Sequence, residues 1–177
     1  MDFTPAGLEG AYLVDAPTFA DDRGHFRRTF DADAFAARGL SARVSQSSVS
    51  YNHRRGTLRG MHYQVPPRAE AKLVRCSAGA IYDVIVDLRP GSPTHRRWVG
   101  VELSAADGRL LYVPEGLAHG YLTLEDRTEV AYQISGAYSP DHARGVRWDD
   151  PAFAITWPFA PSVIADKDRA HPDYTPP

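Results

Sequence analysis

Three side chains in the middle of the chain carry the chemistry that its sequence offers: His62 in GTLRGMHYQ, Lys72 in AKLVRC and His119 in YVPEGLAHGY. An imidazole titrates at ~6.5 and is a good base at neutral pH. A protonated lysine cannot ligate a metal, but its charge stabilises a developing oxyanion. Two histidines and a lysine around one cavity suit proton transfer beside a polarised carbonyl. In that reading His62 removes the proton next to the carbonyl and Lys72 holds the enolate oxygen.

The elements that must position these groups are mostly strands. Candidates of 5 to 10 residues fall at 10–15, 25–30, 42–51, 57–64, 72–77, 80–88, 96–103, 109–113, 118–124 and 128–135, rich in Val, Ile, Tyr, Leu and Thr. Gly, Pro and Asp punctuate them, as in RPGSP at 89–93, AADG at 105–108 and PEG at 114–116. Many short strands with regular turns imply an all-β sandwich or barrel. One helix is expected over 31–38, capped by Asp31 or Asp33 and stopped at Gly39. Period-two alternation puts Val130, Tyr132 and Ile134 on one inward face. It puts Leu58, His62 and Gln64 on another, with Arg59 and Met61 opposite.

Bulk composition sets the limits. The 177 residues fit one domain over 1–177, and 43% apolar with 24% charged residues allows a real core. A net charge of -2, with Arg54 and Arg55 as the nearest thing to a basic run, gives no nucleic-acid surface. An anionic partner must then be met by a local pocket. Cys76 is the single cysteine, so no internal disulfide forms, which favours a reducing cytoplasm. No apolar stretch is long enough for a bilayer, and the acidic N-terminus does not read as a signal peptide.

Gly108, Pro114, Gly116 and His119 match the second cupin motif, G-x5-P-x-G-x2-H-x3-N, except that Thr123 replaces the Asn. In the first motif, Gly56 is followed at the expected distance by His62, but the second histidine position is Gln64 and the glutamate position ahead of Gly79 is Lys72. Metal-binding cupins use those positions as ligands, so the exchange argues for a barrel with no metal and no other cofactor.

From about Gly10 to Asp168 the chain resembles the dTDP-4-dehydrorhamnose 3,5-epimerase family of cupins. The segments that carry the resemblance are Phe19 with DDRGHF, GTLRGMHYQ, AKLVRCSAGAIYDVIVDLRPGSPT, YVPEGLAHGY, EVAYQISGAYSP, GVRWDDPAFAITWP and VIADKD. The resemblance implies a cupin jelly-roll β-barrel and a cytoplasmic homodimer in which an N-terminal strand, such as 10–15, pairs with the partner's sheet. It also implies cofactor-independent epimerisation at C3, C5 or both of a nucleotide-linked 4-keto-6-deoxy sugar, foremost dTDP-4-dehydro-6-deoxyglucose. His62 falls on the base, Asp168 on the carboxylate that orients it, Lys72 on the residue at the keto oxygen, and Tyr132 on the acid of the opposite ring face. Arg59 and His119 fall on sugar and phosphate contacts. Arg23, Phe26 and Gln46 fall on nucleotide contacts, with Phe19 and Tyr138 nearby.

Two positions depart from the pattern. Arg28 stands where the family usually has Glu, and Ser48 where it usually has Asn, both in the nucleotide region. The rival readings are a single-centre epimerase or ketoisomerase on another nucleotide sugar, and a non-catalytic nucleotide-sugar binding cupin. By local sequence alone Asp168 is the least secure of the site residues and also fits a surface acid in a loose tail, while His25, His53, His95, His142 and His171 read as surface or loop residues. Trp98, Trp148 and Trp157 read as core or interface packing.

Overall fold

In the computed structural model, which describes residues 1–176, two β-sheets lie face to face. In chain order the elements are β1 (Asp2–Pro5), β2 (Tyr12–Asp15), β3 (Thr18–Asp21), β4 (Gly24–Arg27), α1 (Ala32–Ala36), β5 (Gln46–Asn52), β6 (Thr57–Gln64), β7 (Lys72–Ala78) and β8 (Ala80–Asp87). They continue with β9 (Trp98–Ser104), β10 (Leu110–Val113), β11 (Leu117–Thr123), β12 (Thr128–Ile134), β13 (Ala143–Gly145), β14 (Val163–Ile164) and α2 (Asp166–Arg169). The first sheet runs β1-β2-β10-β7-β12-β5; the second runs β13-β6-β11-β8-β9, with β14 added in parallel on β6. All other pairs are antiparallel, and the sheets form the expected jelly roll without closing hydrogen bonds between them.

The core follows from alternation along the strands. Val74, Cys76, Leu111, Val113 and Val130 of the first sheet meet Ile81, Ile85, Leu103, Leu117 and Tyr121 of the second. Each large aliphatic chain removed from water contributes about 1.5–3 kcal/mol, so this inter-sheet layer dominates cohesion.

The predicted helix is real but shorter. Asp31 caps it by accepting from the Ala34 N–H at 3.2 Å, and the chain turns away through Gly39 at a φ of 70°. Phe35 anchors it beneath Phe3 and Tyr112.

Two expectations change. The segment 10–15 does not wait for a partner chain: β2 pairs with β1 on one side and β10 on the other, and Val14 is fully buried. The unsupported element is the β3–β4 hairpin, which pairs with no other strand among the described residues. The second change lies in β6. Its pairing with β11 sets His62 opposite His119 but Arg59 opposite Tyr121, a register shift centred on Gly60. Gly60 has a φ of 138°, and a Cβ there would lie 2.5 Å from the Gly120 Cα. Strict alternation separates Arg59 from His62; the bulge turns both towards one cavity, while Met61 packs behind the sheet with Val84, Val86 and Ala118.

Candidate active site

A cavity of about 700 Å³ opens between the sheets. One wall carries Ser48 of β5, Lys72 of β7 and Tyr132 of β12; the facing wall carries Arg59 and His62 of β6 and His119 of β11. The short helix α2 and the tail after it complete the lining with Lys167, Asp168 and His171.

His62 Nε2 and Asp168 Oδ1 are 2.8 Å apart, and Asp168 Oδ2 accepts from the Gly60 N–H at 3.2 Å. Asp168 is only 1% exposed, which corrects the view of it as a surface acid. Burial pushes its carboxyl up, but the hydrogen bond and charge of His62 and the Gly60 N–H outweigh burial and hold it below the usual carboxylate range. The imidazole remains partly open to the cavity, and no hydrogen bond engages its Nδ1 among the described residues. A histidine tied at one nitrogen to an ionised aspartate presents the other as a base.

Lys72 is buried. Its Nζ donates to the His62 carbonyl at 3.1 Å and pairs with Glu70 at 3.3 Å. Burial lowers its pKa and Glu70 partly restores it. Two of its three N–H groups are thereby occupied. Gln64 cannot serve as a metal ligand: its amide nitrogen donates to Glu70 and two carbonyls, and its oxygen accepts from the Ser139 N–H.

Tyr132 faces His62 from the opposite sheet. Burial, then Tyr121 and Asp83, push its phenol well above the usual value, so it holds its proton at neutral pH. Ser48 is its direct partner across the β5–β12 ladder, closer to the centre of the cavity than a nucleotide-region assignment suggests. Arg59 is aimed by Asn52, whose Oδ1 accepts from its Nε at 2.9 Å.

His119 forms a second histidine–carboxylate pair, with Asp83 at 2.6 Å. Both are buried, and Asp83 Oδ2 has no hydrogen-bond partner. Sequence reasoning missed Asp83, although an acid inside the apolar run AIYDVIVD was a signal, because an unpaired buried charge is too costly to keep. His171, read as a surface residue, instead lines the cavity with its ring centroid 6.2 Å from that of His62. Burial and the neighbouring His62 lower its pKa, and its Nε2 is buried without a partner.

The remaining candidates lie outward. Tyr138 lines the cavity rim, and its N–H donates to the Gln46 side chain at 3.0 Å. Phe19 and Phe26 stack loosely across the β3–β4 hairpin, each 63% exposed, and Arg23 pairs with Asp21 at its tip. Arg28 pairs with Asp31, the cap of α1, at 3.1 Å. Within one chain, Phe19, Arg23, Phe26, Arg28 and Gln46 do not line the cavity.

The family model described as dTDP-4-dehydrorhamnose 3,5-epimerase matches residues 5–175. A relative of that name from Sinorhizobium fredii is 40% identical over 97% of this chain and 89% of its own length. A dTDP-4-dehydrorhamnose 3-epimerase from Streptomyces niveus is 38% identical over 96% of this chain and 82% of its own. The crystal structure of the Bacillus anthracis dTDP-4-dehydrorhamnose 3,5-epimerase with TDP and PPi bound superposes with a TM-score of 0.94, at 42% identity, over 98% of this chain and 99% of that one.

Proposed function

The chain belongs to the dTDP-4-dehydrorhamnose 3,5-epimerase family and is an isomerase that epimerises a nucleotide-linked keto sugar, and we propose that its inter-sheet cavity does so by a one-base, one-acid proton transfer. The substrate is dTDP-4-dehydro-6-deoxyglucose. The observation that carries the reading is the opposition of His62 and Tyr132 across one cavity, each on a different sheet.

A proton next to a ketone becomes acidic when the resulting enolate is stabilised. His62 takes that proton from C5 or C3 at its free ring nitrogen, while Asp168 steadies the imidazolium that forms. The negative charge gathers on the C4 oxygen, where the buried Lys72 ammonium meets it. Tyr132 returns a proton to the opposite face of the carbon, which inverts the centre. The phenolate then recovers a proton from solvent, and the His62 imidazolium gives up the one it took to solvent. Each step belongs to a side chain of this chain and calls for no cofactor. Arg59 and His119 hold sugar and phosphate, Ser48 and Tyr138 line the route to the nucleotide.

The test is deuterium uptake. In D2O the enzyme is expected to incorporate deuterium at C3, C5 or both of dTDP-4-dehydro-6-deoxyglucose and to form the inverted sugar. Binding of the nucleotide sugar without exchange would leave only a binding module.

Assembly belongs to the same proposal. A lone two-stranded hairpin is marginal in water, and β3–β4 exposes both of its phenylalanines. The first sheet also ends at β5, an edge strand with Val49 and Tyr51 exposed. A second copy that received the hairpin on this edge would cover both and bring Phe19, Arg23 and Phe26 towards the cavity mouth, beside Gln46. Sedimentation is therefore expected to give a symmetric dimer at micromolar concentration; an active monomer would refute this. The unpaired, buried Cys76 is compatible with the cytoplasm, and among the described residues no helix is long and apolar enough to cross a membrane.

A further inference from the structure

His171 has no part in the proton transfers described above, yet it shares their cavity. Its Nε2 is buried without a hydrogen-bond partner among the described residues. It rests against Gly145, where any Cβ would collide with the imidazole. One ligand atom each from His62, Asp168 and His171 lie within 4.8 Å of one another.

We propose that these three residues form a site for a borderline divalent cation such as Zn2+, and that the bound ion inhibits the enzyme by occupying its base. The inhibitory half rests on the role assigned to His62. Two imidazoles and a carboxylate are a common donor set for zinc, at about 2.0–2.2 Å from the ion, with a fourth position left for water. Mg2+ and Ca2+ prefer sets made of oxygen and are excluded by the two nitrogens. Lys167, which lines the same cavity, opposes a cation and keeps the site weaker than a structural one.

The inhibition follows from the imidazole itself. A neutral ring has one nitrogen with a free lone pair, and the other carries the proton. Once the lone pair binds the ion, neither nitrogen can accept the sugar's proton. The position differs from the ligand set of metal-binding cupins, since Gln64 and Lys72 are committed elsewhere.

The experiment uses the untagged full chain, first stripped with a chelator. The stripped enzyme is expected to be fully active. Zn2+ is then titrated by calorimetry and Co2+ by visible absorption, alongside deuterium exchange on the nucleotide sugar. One Zn2+ is expected per chain, with the intense spectrum of four-coordinate Co2+, and exchange falling in step with occupancy and returning on chelation. His171→Ala and the bulkier His171→Gln are expected to weaken Zn2+ about 10-fold or more. Their inhibition curves, each scaled to the variant's own rate, shift by the same factor, and Mg2+ does nothing. Equal Zn2+ affinity in wild type and both variants overturns the site. Undiminished exchange at full occupancy overturns the inhibition. If the stripped wild type fails to exchange at all, the epimerase mechanism is at fault, and calorimetry and Co2+ spectra still decide the site.

Discussion

His62→Asn is expected to lose exchange of the protons flanking the ketone by on the order of 10²–10⁴-fold, the range of general acid–base catalysis. The other basic groups of the cavity are committed elsewhere: His119 is locked to Asp83, Lys72 is shared between Glu70 and the His62 carbonyl, and His171 has its Nε2 buried against Gly145. Asparagine keeps a donor for Asp168, so the fold around α2 survives and the loss is chemical. Tyr132→Phe divides the reaction differently. Abstraction by His62 persists, so deuterium still enters the sugar, but delivery from the opposite face fails and inverted product falls away. The paired measurement is deuterium content by mass spectrometry and product configuration by NMR for both variants. Exchange in His62→Asn equal to wild type removes His62 as the base. Normal inversion in Tyr132→Phe removes Tyr132 as the acid.

Asp168→Asn is expected to lower turnover by on the order of 10²-fold or more, through geometry rather than charge alone. Asp168 accepts at both oxygens, from Gly60 and from His62. An amide has one acceptor. If that oxygen stays with Gly60, the amide N–H2 faces His62 Nε2 and forces the ring proton onto Nδ1, where the base must be free. If it turns to His62, the Gly60 N–H loses its partner, at about 1–3 kcal/mol. Nitrogen-15 NMR of the ring separates the two cases: the tautomer moves in the first and the melting temperature in the second. Wild-type turnover with an unchanged tautomer would deny Asp168 its positioning role. The pH dependence has a definite sign. The folded carboxyl lies below its ordinary value, so its stabilisation is full above about pH 4 and is lost as pH falls through the lower folded value. The share of the stability gap that comes from this carboxylate should thus close only in acid.

Much of this arrangement was legible in the residues. GTLRGMHYQ marks β6 at its observed limits, and the alternation in TEVAYQIS puts Tyr132 on the inward face that lines the cavity. The motif glycines and His119 locate the β10–β11 turn. What alternation cannot supply is the bulge at Gly60, because a register shift depends on two backbones meeting, not on local propensity. For that reason Arg59 was set on the wrong face. Asp168 and His171 eluded a local reading because α2 and the tail have no apolar pattern of their own; their burial comes from docking on β6. β1, β13 and β14 were missed because two to four residues are too few to show a period. The hairpin was read as a single strand at 25–30, and its isolation from both sheets has no sequence signature.

The contact of Gly60 with Gly120 also divides the cavity by its freedom to change. A Cβ at Gly120 would sit 2.7 Å from the Arg59 carbonyl and 2.9 Å from the Gly60 Cα, so neither position accepts even a methyl group unless β6 and β11 part. Parting them would displace Arg59, His62 and His119 together. The backbone crossing at Gly60 and Gly120 is thus closed to substitution, whereas β5 across from it offers Ser48 and Ser50 with small side chains. A library intended to alter the substrate should therefore be confined to β5 and the rim.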